Sequence, residues 1–258
     1  MTMLQIGIVV PTLGTRPEYL EQCLRSIRQS GDCWIALVVP KEIDVSRFEE
    51  MGLCNQRVDD PQKGLAMAIN AGIASLPSGI EFVNWLGDDD LLEPASLNCI
   101  ARLLHDKQAD FAWGKCRYIS GDGQTIGMNR SGTWAKWLVR VGPNLIPQPG
   151  SLFTRKAFNA EGCLTDNYGW AFDQELFTKF VRSYRTLYVP TITASFRWHS
   201  GSLSAGSRDG SVKESSQIRI ANMPAIVRPI SRLWEPMMCW FISLAGRVVT
   251  IRANKTKS

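Results

Sequence analysis

The sequence predicts an α/β fold in which a Rossmann-like, mostly parallel central sheet is packed on both faces by helices. Three observations predict it. Apolar runs of strand length alternate with segments of helical period through residues 5–105. One of those runs, residues 80–86, is β-branched and aromatic enough for a buried strand and stops at Gly87. Three carboxylates, Asp88, Asp89 and Asp90, follow at once, at the kind of strand end where open α/β sheets bind ligands.

Each element has its own signal. Residues 5–11 are an apolar strand that ends in Pro11-Thr12, where a loop begins. Residues 17–29 place Leu20, Cys23, Leu24 and Ile27 at helical spacing, with Pro17 in the first turn and Ser30-Gly31 at the end. Residues 34–39 form a second strand stopped by Pro40, and residues 54–58 a weaker third. Residues 64–76 read as a helix of small residues that can pack closely. After the acidic triplet, Pro94 suits the first turn of a helix from Leu91 to His105. Further on come a strand over 110–119, a turn at 121–123, a short helix over 133–141 and a strand entered through the Pro/Gly-rich loop of 145–155. A helix over 171–184 carries Phe172, Leu176, Phe177, Phe180 and Val181 on one face, and 187–197 is extended. Residues 202–216, rich in Ser and Gly, are expected to be mobile. Residues 1–224 make one domain, and 225–258 an appended tail.

Composition bounds the chemistry. At 258 residues the chain can bury a full core. Its seven cysteines are scattered, odd in number and without a CxxC pair, which argues for reduced thiols and against a zinc site. No basic segment precedes the first apolar run, so no signal peptide is expected, and no apolar run is long enough for a spanning helix. A cytoplasmic protein follows as the expectation. The net charge of +5 sits entirely in residues 225–258, where six Lys/Arg face Glu235 alone. A basic tail on a neutral body suits an acidic partner, a membrane surface or a nucleic acid.

Three adjacent aspartates at a strand end repel one another unless a cation or strong donors neutralise them. Oxygen ligands of this kind suit Mg²⁺ or Mn²⁺, which bridge readily to phosphates. An acidic turn capping the next helix explains the same residues, and from the triplet alone both readings stand.

The ordered set of segments decides between them. Residues 6 to about 205 resemble the family 2 glycosyltransferases of GT-A fold, which implies a nucleotide-sugar donor. Ile8-Val9-Val10-Pro11-Thr12 matches the first strand and its nucleotide-holding loop, and Arg16-Pro17-Glu18-Tyr19-Leu20 the start of the first helix. Gly64, Leu65 and Asn70 match a helix motif, with Lys63 near the phosphates. Asp88, Asp89 and Asp90 fall on the DXD-type motif. The resemblance implies donor binding by Pro11, Thr12, Arg16, Lys63, Asp88 and Asp89. It implies metal binding by Asp89 and Asp90, and the Phe196-Arg197-x-His199 segment matches as well; the Ser/Gly-rich loop after His199 reads as a lid over the diphosphate, with His199 as a further metal ligand. The loop of 146–151, with Gly150 and Ser151, matches the acceptor side, and Asp173 the catalytic aspartate. Two departures are plain. Pro40 stands where an acid commonly contacts the donor base, with Asp44 as a nearby substitute, and Gly87 takes the place of the first motif acid.

Glycosyl transfer needs a stabilised departing diphosphate and a base on the acceptor hydroxyl. Mn²⁺ or Mg²⁺ serves the first need and Asp173 the second. One base without a nucleophile implies inversion at the anomeric carbon. A helix-surface role for Asp173, paired with Lys179 or Arg182, is the competing reading, and Glu175 is the substitute base. Trp85, Trp113, Trp134, Trp137 and Trp170 are candidates either to stack on sugars or to fill the core, Trp170 on the acceptor side. The resemblance also implies a glycan or polyprenyl-linked acceptor in surface polysaccharide synthesis. It favours an anionic membrane over nucleic acid as partner of the tail, whose apolar residues between 233 and 251 fall at helical spacing and suit an interfacial helix interrupted at Pro236. Two rivals use the same residues: a nucleotidyl or phosphoryl transferase, disfavoured by the lack of a GxxxxGK[ST] loop, and a silent sugar-binding module.

Overall fold

β1 (Ile6–Pro11), α1 (Pro17–Ser30), β2 (Cys33–Val39), α2 (Ser46–Glu50), β3 (Gln56–Asp59), α3 (Leu65–Ser75) and β4 (Phe82–Trp85) open the chain. The structure is a computed structural model describing residues 5–199, 208–223, 225–226 and 228–255. β1 pairs in parallel with β2 on one side and β4 on the other, Ile8 lying opposite both Ile35 and Asn84. β3 joins β2, also in parallel. This half is the parallel sheet that the alternation of periods predicts.

The side chains of β1 alternate between two cores, as the two-residue period of a strand requires. Ile6, Ile8 and Val10 face α1 and its Leu20, Leu24 and Ile27. Val9 faces α3, with Ile69 and Ile73. The small residues of α3 let the helix settle onto the sheet: a Cβ on Gly72 would lie 2.4 Å from a methyl of Val9.

The remaining elements are β5 (Leu91–Leu92), α4 (Ser96–Lys107), β6 (Phe111–Ile119), β7 (Thr125–Asn129), α5 (Ala135–Val141), β8 (Leu152–Thr154), α6 (Arg155–Ala160), α7 (Phe172–Ser183), β9 (Thr186–Arg197), α8 (Arg208–Asn222), a 3₁₀ turn (Ile230–Leu233) and α9 (Glu235–Lys255). Among the described residues the sheet has nine strands in the order β3-β2-β1-β4-β8-β6-β9-β5, with β7 paired to β6. Beyond β4 it is mixed: β8 is antiparallel to β4 and β6, and β9 is parallel to β6. Phe111, Phe153 and Phe177 stack beneath this half, the rings of Phe111 and Phe153 4.5 Å apart, and Phe180 meets them edge-on.

Several local expectations change. Leu91 and Leu92 are not the start of a helix. They pair with Ser195 and Ala194 of β9, and Leu92 N–H donates to Ser26 Oγ at 3.0 Å. α4 starts only at Ser96, after the left-handed Ala95. β7 is a half-buried strand without an apolar alternation, so its sequence gave no strand signal. Residues 208–216, expected to be mobile, form the first part of α8, which is held by side-chain contacts to other elements; 200–207, the loop expected as a lid, lie outside the described residues. Pro236 does not interrupt the tail. It lies in the first turn of α9, where a missing N–H breaks no helical bond. Among the described residues no helix is long and apolar enough to cross a membrane.

Candidate active site

A cleft of about 780 Å³ opens at the carboxyl ends of β1, β2 and β4. Several pieces of chain line it, among them the loop after β1 (Pro11, Thr12, Arg16), the segment after β2 (Pro40, Glu42), the segment after β3 (Asp60), the acidic triplet, Gln148-Pro149 and the start of α7 (Trp170, Phe172, Asp173). Sheet topology makes this convergence. The central parallel strands stop together, so the loops that follow them meet.

The acidic triplet is the floor. Its three residues are nearly enclosed, at 5%, 9% and 3% exposure for Asp88, Asp89 and Asp90. Gly87 ahead of them admits little else: a Cβ there would lie 3.0 Å from Asp89 Oδ1 and 3.1 Å from Asp90 Oδ2. Charge this dense needs donors, and the chain supplies them. Thr12 Oγ1–H donates to Asp88 Oδ2 at 2.5 Å. The guanidinium of Arg16 forks, Nη2 donating to Asp88 Oδ1 at 2.7 Å and Nη1 to Asp89 Oδ2 at 2.8 Å. His199 Nε2 lies 2.8 Å from the same Asp89 oxygen and 3.0 Å from Arg16 Nη1. Asp90 accepts the backbone N–H of Arg197 at 2.9 Å.

Burial pushes the carboxyls of Asp88 and Asp90 above the ordinary range. For Asp88 the Thr12 hydroxyl and Arg16 oppose the rise. For Asp90 the charge of Asp89 adds to it. In direct ion pairs the triplet has the guanidinium of Arg16, shared by Asp88 and Asp89, while Asp90 has a backbone N–H.

Arg197 locks the motif from behind. It is 2% exposed. Nε donates to Asp89 O, Nη1 to Gly121 O and Nη2 to Gln22 Oε1, each at 2.8 Å. Its guanidinium also lies 4.4 Å from the centre of the Tyr19 ring. The Phe-Arg-x-His segment thus contributes a fixed arginine and a histidine that reaches the acids.

Asp173 sits on the first turn of α7, half-buried in the cleft wall. Desolvation raises its carboxyl to about 6, although the N–H of Gln174 donates to it at 2.7 Å. The partners proposed for a surface role are taken elsewhere. Lys179 pairs with Glu175 at 3.4 Å, and Arg182 donates to Asn222. Glu175 also accepts a hydrogen bond from Thr165, so the substitute base is committed to a loop.

Other sequence candidates fall in varied places. Pro11, Thr12, Arg16 and Trp170 line the cleft; Lys63 is exposed, and the cleft takes its neighbours Gln62 and Gly64 instead. Gly150 and Ser151 stand behind the wall. Gly150 turns the chain at φ +70° and Ser151 is fully buried, while Gln148 and Pro149 face the cleft. Gln148 Nε2 is held by Asn84 Oδ1 at 3.1 Å and Trp85 O at 2.7 Å. Asn70 bonds both backbone groups of Leu164, a structural tie. Asp44 caps Ser46 N–H, and Glu42 reaches the cleft beside Pro40. Trp85 and Trp113 are core, whereas Trp134, just ahead of α5, and Trp137 on it are exposed.

One residue with a clear role carried no sequence signal. Glu214 of α8 accepts the N–H groups of Gly169, Trp170 and Ala171 at 2.9, 2.8 and 2.9 Å. It fixes the loop that carries Trp170 and sets a carboxylate at the N-terminal end of α7. Gly210 seats the indole: a Cβ there would come within 2.8 Å of the ring. Ser215 adds a bond to Gln174 at 2.6 Å. These positions are set by the fold and not by sequence spacing.

Among the described residues no three His, Cys, Asp or Glu side chains converge into a complete metal cage. Asp89 Oδ2 and His199 Nε2 do converge, on a nearly enclosed spot that the guanidinium of Arg16 reaches in this structure. That donor pair fits a divalent cation whose remaining ligands come from phosphate and water, the usual arrangement for Mg²⁺ and its analogues.

The α/β architecture, a mixed sheet flanked by helices, is similar to glycosyltransferase folds. S. aureus TarS 1–349 in complex with UDP-GlcNAc matches with a TM-score of 0.65 at 13% identity, over 84% of this chain and 66% of that one. The complex of the same protein with UDP gives 0.61 at 14% identity, over 84% and 65%. The mannosyltransferase PcManGT from Pyrobaculum calidifontis, in complex with GDP-Man and Mn²⁺, gives 0.62 at 15% identity, over 98% and 76%. The chain spans about two thirds of the TarS 1–349 structure. No protein-family model and no curated protein matches the chain. At these identities the likeness establishes the fold.

Proposed function

We propose that the chain is an inverting glycosyltransferase that moves a sugar from a nucleotide-sugar donor to a hydroxyl of a glycan or lipid-linked acceptor in surface polysaccharide synthesis. One observation carries the reading: an acid half-buried in an apolar wall, Asp173, shares a single cleft with a buried acidic triplet at the ends of parallel strands. The fold shared with a UDP-GlcNAc complex and a GDP-Man complex supports it.

The nucleotide lies along Pro11, Thr12 and the segments after β2 and β3, its diphosphate beside Arg16 and the triplet. Asp89 and His199 would hold Mn²⁺ or Mg²⁺, which neutralises charge on the departing diphosphate. Asp173 takes the proton of the acceptor hydroxyl; a pKa near 6 leaves it ionised at neutral pH and a better base than an ordinary aspartate. Trp170 offers an indole face to a sugar ring.

The tail, residues 225–258, serves to bring the enzyme to an anionic membrane surface. Met237, Trp240, Phe241, Leu244, Val248 and Ile251 are all exposed on α9. Arg228, Arg247 and Arg252 accompany them, which suits interfacial binding. The other side of α9 is anchored: Glu235 pairs with the buried Arg219 at 2.7 Å, and Thr250 accepts a bond from the Trp198 indole at 3.2 Å.

The test is a thermal-shift panel of nucleotide sugars with Mn²⁺, run on the natural chain and on Asp89→Asn. Stabilisation by one nucleotide class, lost in the variant with the fold retained by circular dichroism, supports the assignment. No shift with any nucleotide sugar removes it.

A further inference from the structure

Two arginines meet the acidic triplet, and only one can let go. Arg197 is enclosed and spends its three guanidinium nitrogens on Asp89 O, Gly121 O and Gln22, beneath the Tyr19 ring. Arg16 stands on the loop ahead of α1, its side chain 31% exposed, and among the described residues its guanidinium bonds go to the site itself: Asp88, Asp89 and His199.

The position of Arg16 Nη1 matters. Asp89 Oδ2 and His199 Nε2 are 2.8 Å apart, and Nη1 lies 2.8 Å from the first and 3.0 Å from the second. Nη1 thus stands within hydrogen-bond reach of both atoms at once, at the place where a cation shared by the carboxylate oxygen and the imidazole nitrogen would sit.

The geometry points to Arg16 as an internal stand-in for the divalent cation: its guanidinium and the metal compete for the same two atoms, Asp89 Oδ2 and His199 Nε2. This rests on the metal site proposed above. The consequence is ordered assembly. A guanidinium forks onto phosphate as well as onto carboxylate. An arriving nucleoside diphosphate therefore offers Arg16 a new partner, and its departure exposes the metal donors. Without a diphosphate the site binds metal weakly because Arg16 already fills it. Metal and nucleotide affinity are thus coupled through one side chain, and by linkage the coupling is reciprocal.

Direct Mn²⁺ binding, followed by electron paramagnetic resonance or calorimetry at fixed pH without nucleotide, tests this. Arg16→Ala and Arg16→Gln are expected to bind Mn²⁺ at least roughly tenfold more tightly than the natural chain, with fold confirmed by circular dichroism. Arg16→Lys separates position from charge. It keeps the charge but cannot bridge both acceptors from one planar fork, so competition for the site predicts tighter Mn²⁺ binding for it also. A lysine variant indistinguishable from the natural chain would mean a general charge effect and would overturn the inference. Unchanged or weaker binding in the folded alanine and glutamine variants would overturn it too. In both cases, binding lost on Asp89→Asn leaves the metal site itself standing. Failure of all these proteins to bind Mn²⁺ removes the metal site and the competition together.

Discussion

Asp173→Asn is the substitution with the most diagnostic pair of effects, because catalysis and stability move in opposite directions. Asn fills the same space and its side-chain oxygen still accepts the Gln174 N–H, so the local structure persists. Activity is expected to fall by about 10² to 10⁴, the usual contribution of a general base. Stability moves the other way. Burial raises the folded-state carboxyl from 3.8 to about 6, so the folded protein binds this proton more tightly than the unfolded chain does. The destabilisation is absent below the unfolded value, grows as pH rises between the two and is complete above the folded one. A shift of that size corresponds to an upper bound of about 3 kcal/mol at neutral pH. Asp173→Asn removes it, and Tm should rise by several degrees at pH 7 while matching the natural chain near pH 3.5. Catalysis gives a third reading. In the natural chain kcat/KM should climb about tenfold per pH unit below pH 6 and level off above it, and the residual activity of the variant should lack that limb. Differential scanning calorimetry across pH, with initial rates over the same range, measures all three. An Asp173→Asn protein that loses both activity and stability would assign Asp173 a structural role, and one that keeps its activity would send the search for the base elsewhere.

Three further outcomes follow from the packing around the site. Glu214→Ala should leave nucleotide affinity unchanged in calorimetry but lower kcat, and should cost roughly 1–2 kcal/mol in urea unfolding, because three N–H groups at the start of α7 lose their acceptor. Arg219→Ala should destabilise by about 3–5 kcal/mol by stranding Glu235, whereas Arg219→Met combined with Glu235→Leu should be near neutral, a contrast that urea titration resolves. Replacing Trp240 and Phe241 by Ser should abolish co-sedimentation with anionic liposomes at low salt without changing turnover on a soluble acceptor. Equal sedimentation of variant and natural chain would leave α9 a packing role only.

How far the sequence leads depends on whether a signal is local. β1, α1, β2 and α3 are legible because each buries a periodic set of side chains against the same sheet. The cleft floor is legible because Asp88, Asp89 and Asp90 follow one another in sequence. Leu91 and Leu92 misled, since two apolar residues after an acidic turn look like a helix start, and only pairing to β9, a hundred residues on, makes them a strand. Arg16 illustrates the same limit within the site. Its presence in the cleft follows from its place after the first strand, but its fork onto Asp88 and Asp89 is a contact across more than seventy residues. Glu214 gave no signal at all: a glutamate in a Ser-rich stretch has no local reason to meet the N-terminal end of a helix forty residues earlier. The helicity of that stretch, too, rests on contacts made elsewhere, to α7 and α9.

The most direct test of glycosyl transfer by this cleft is release of nucleoside diphosphate from a panel of nucleotide sugars, with Mn²⁺ and a set of glycan and polyprenyl-phosphate acceptors. Acceptor-dependent release from one donor, with the sugar recovered on the acceptor in inverted configuration and both signals lost in Asp173→Asn, is the predicted result. Release of pyrophosphate or nucleoside monophosphate instead, or turnover that survives in Asp173→Asn, would contradict it.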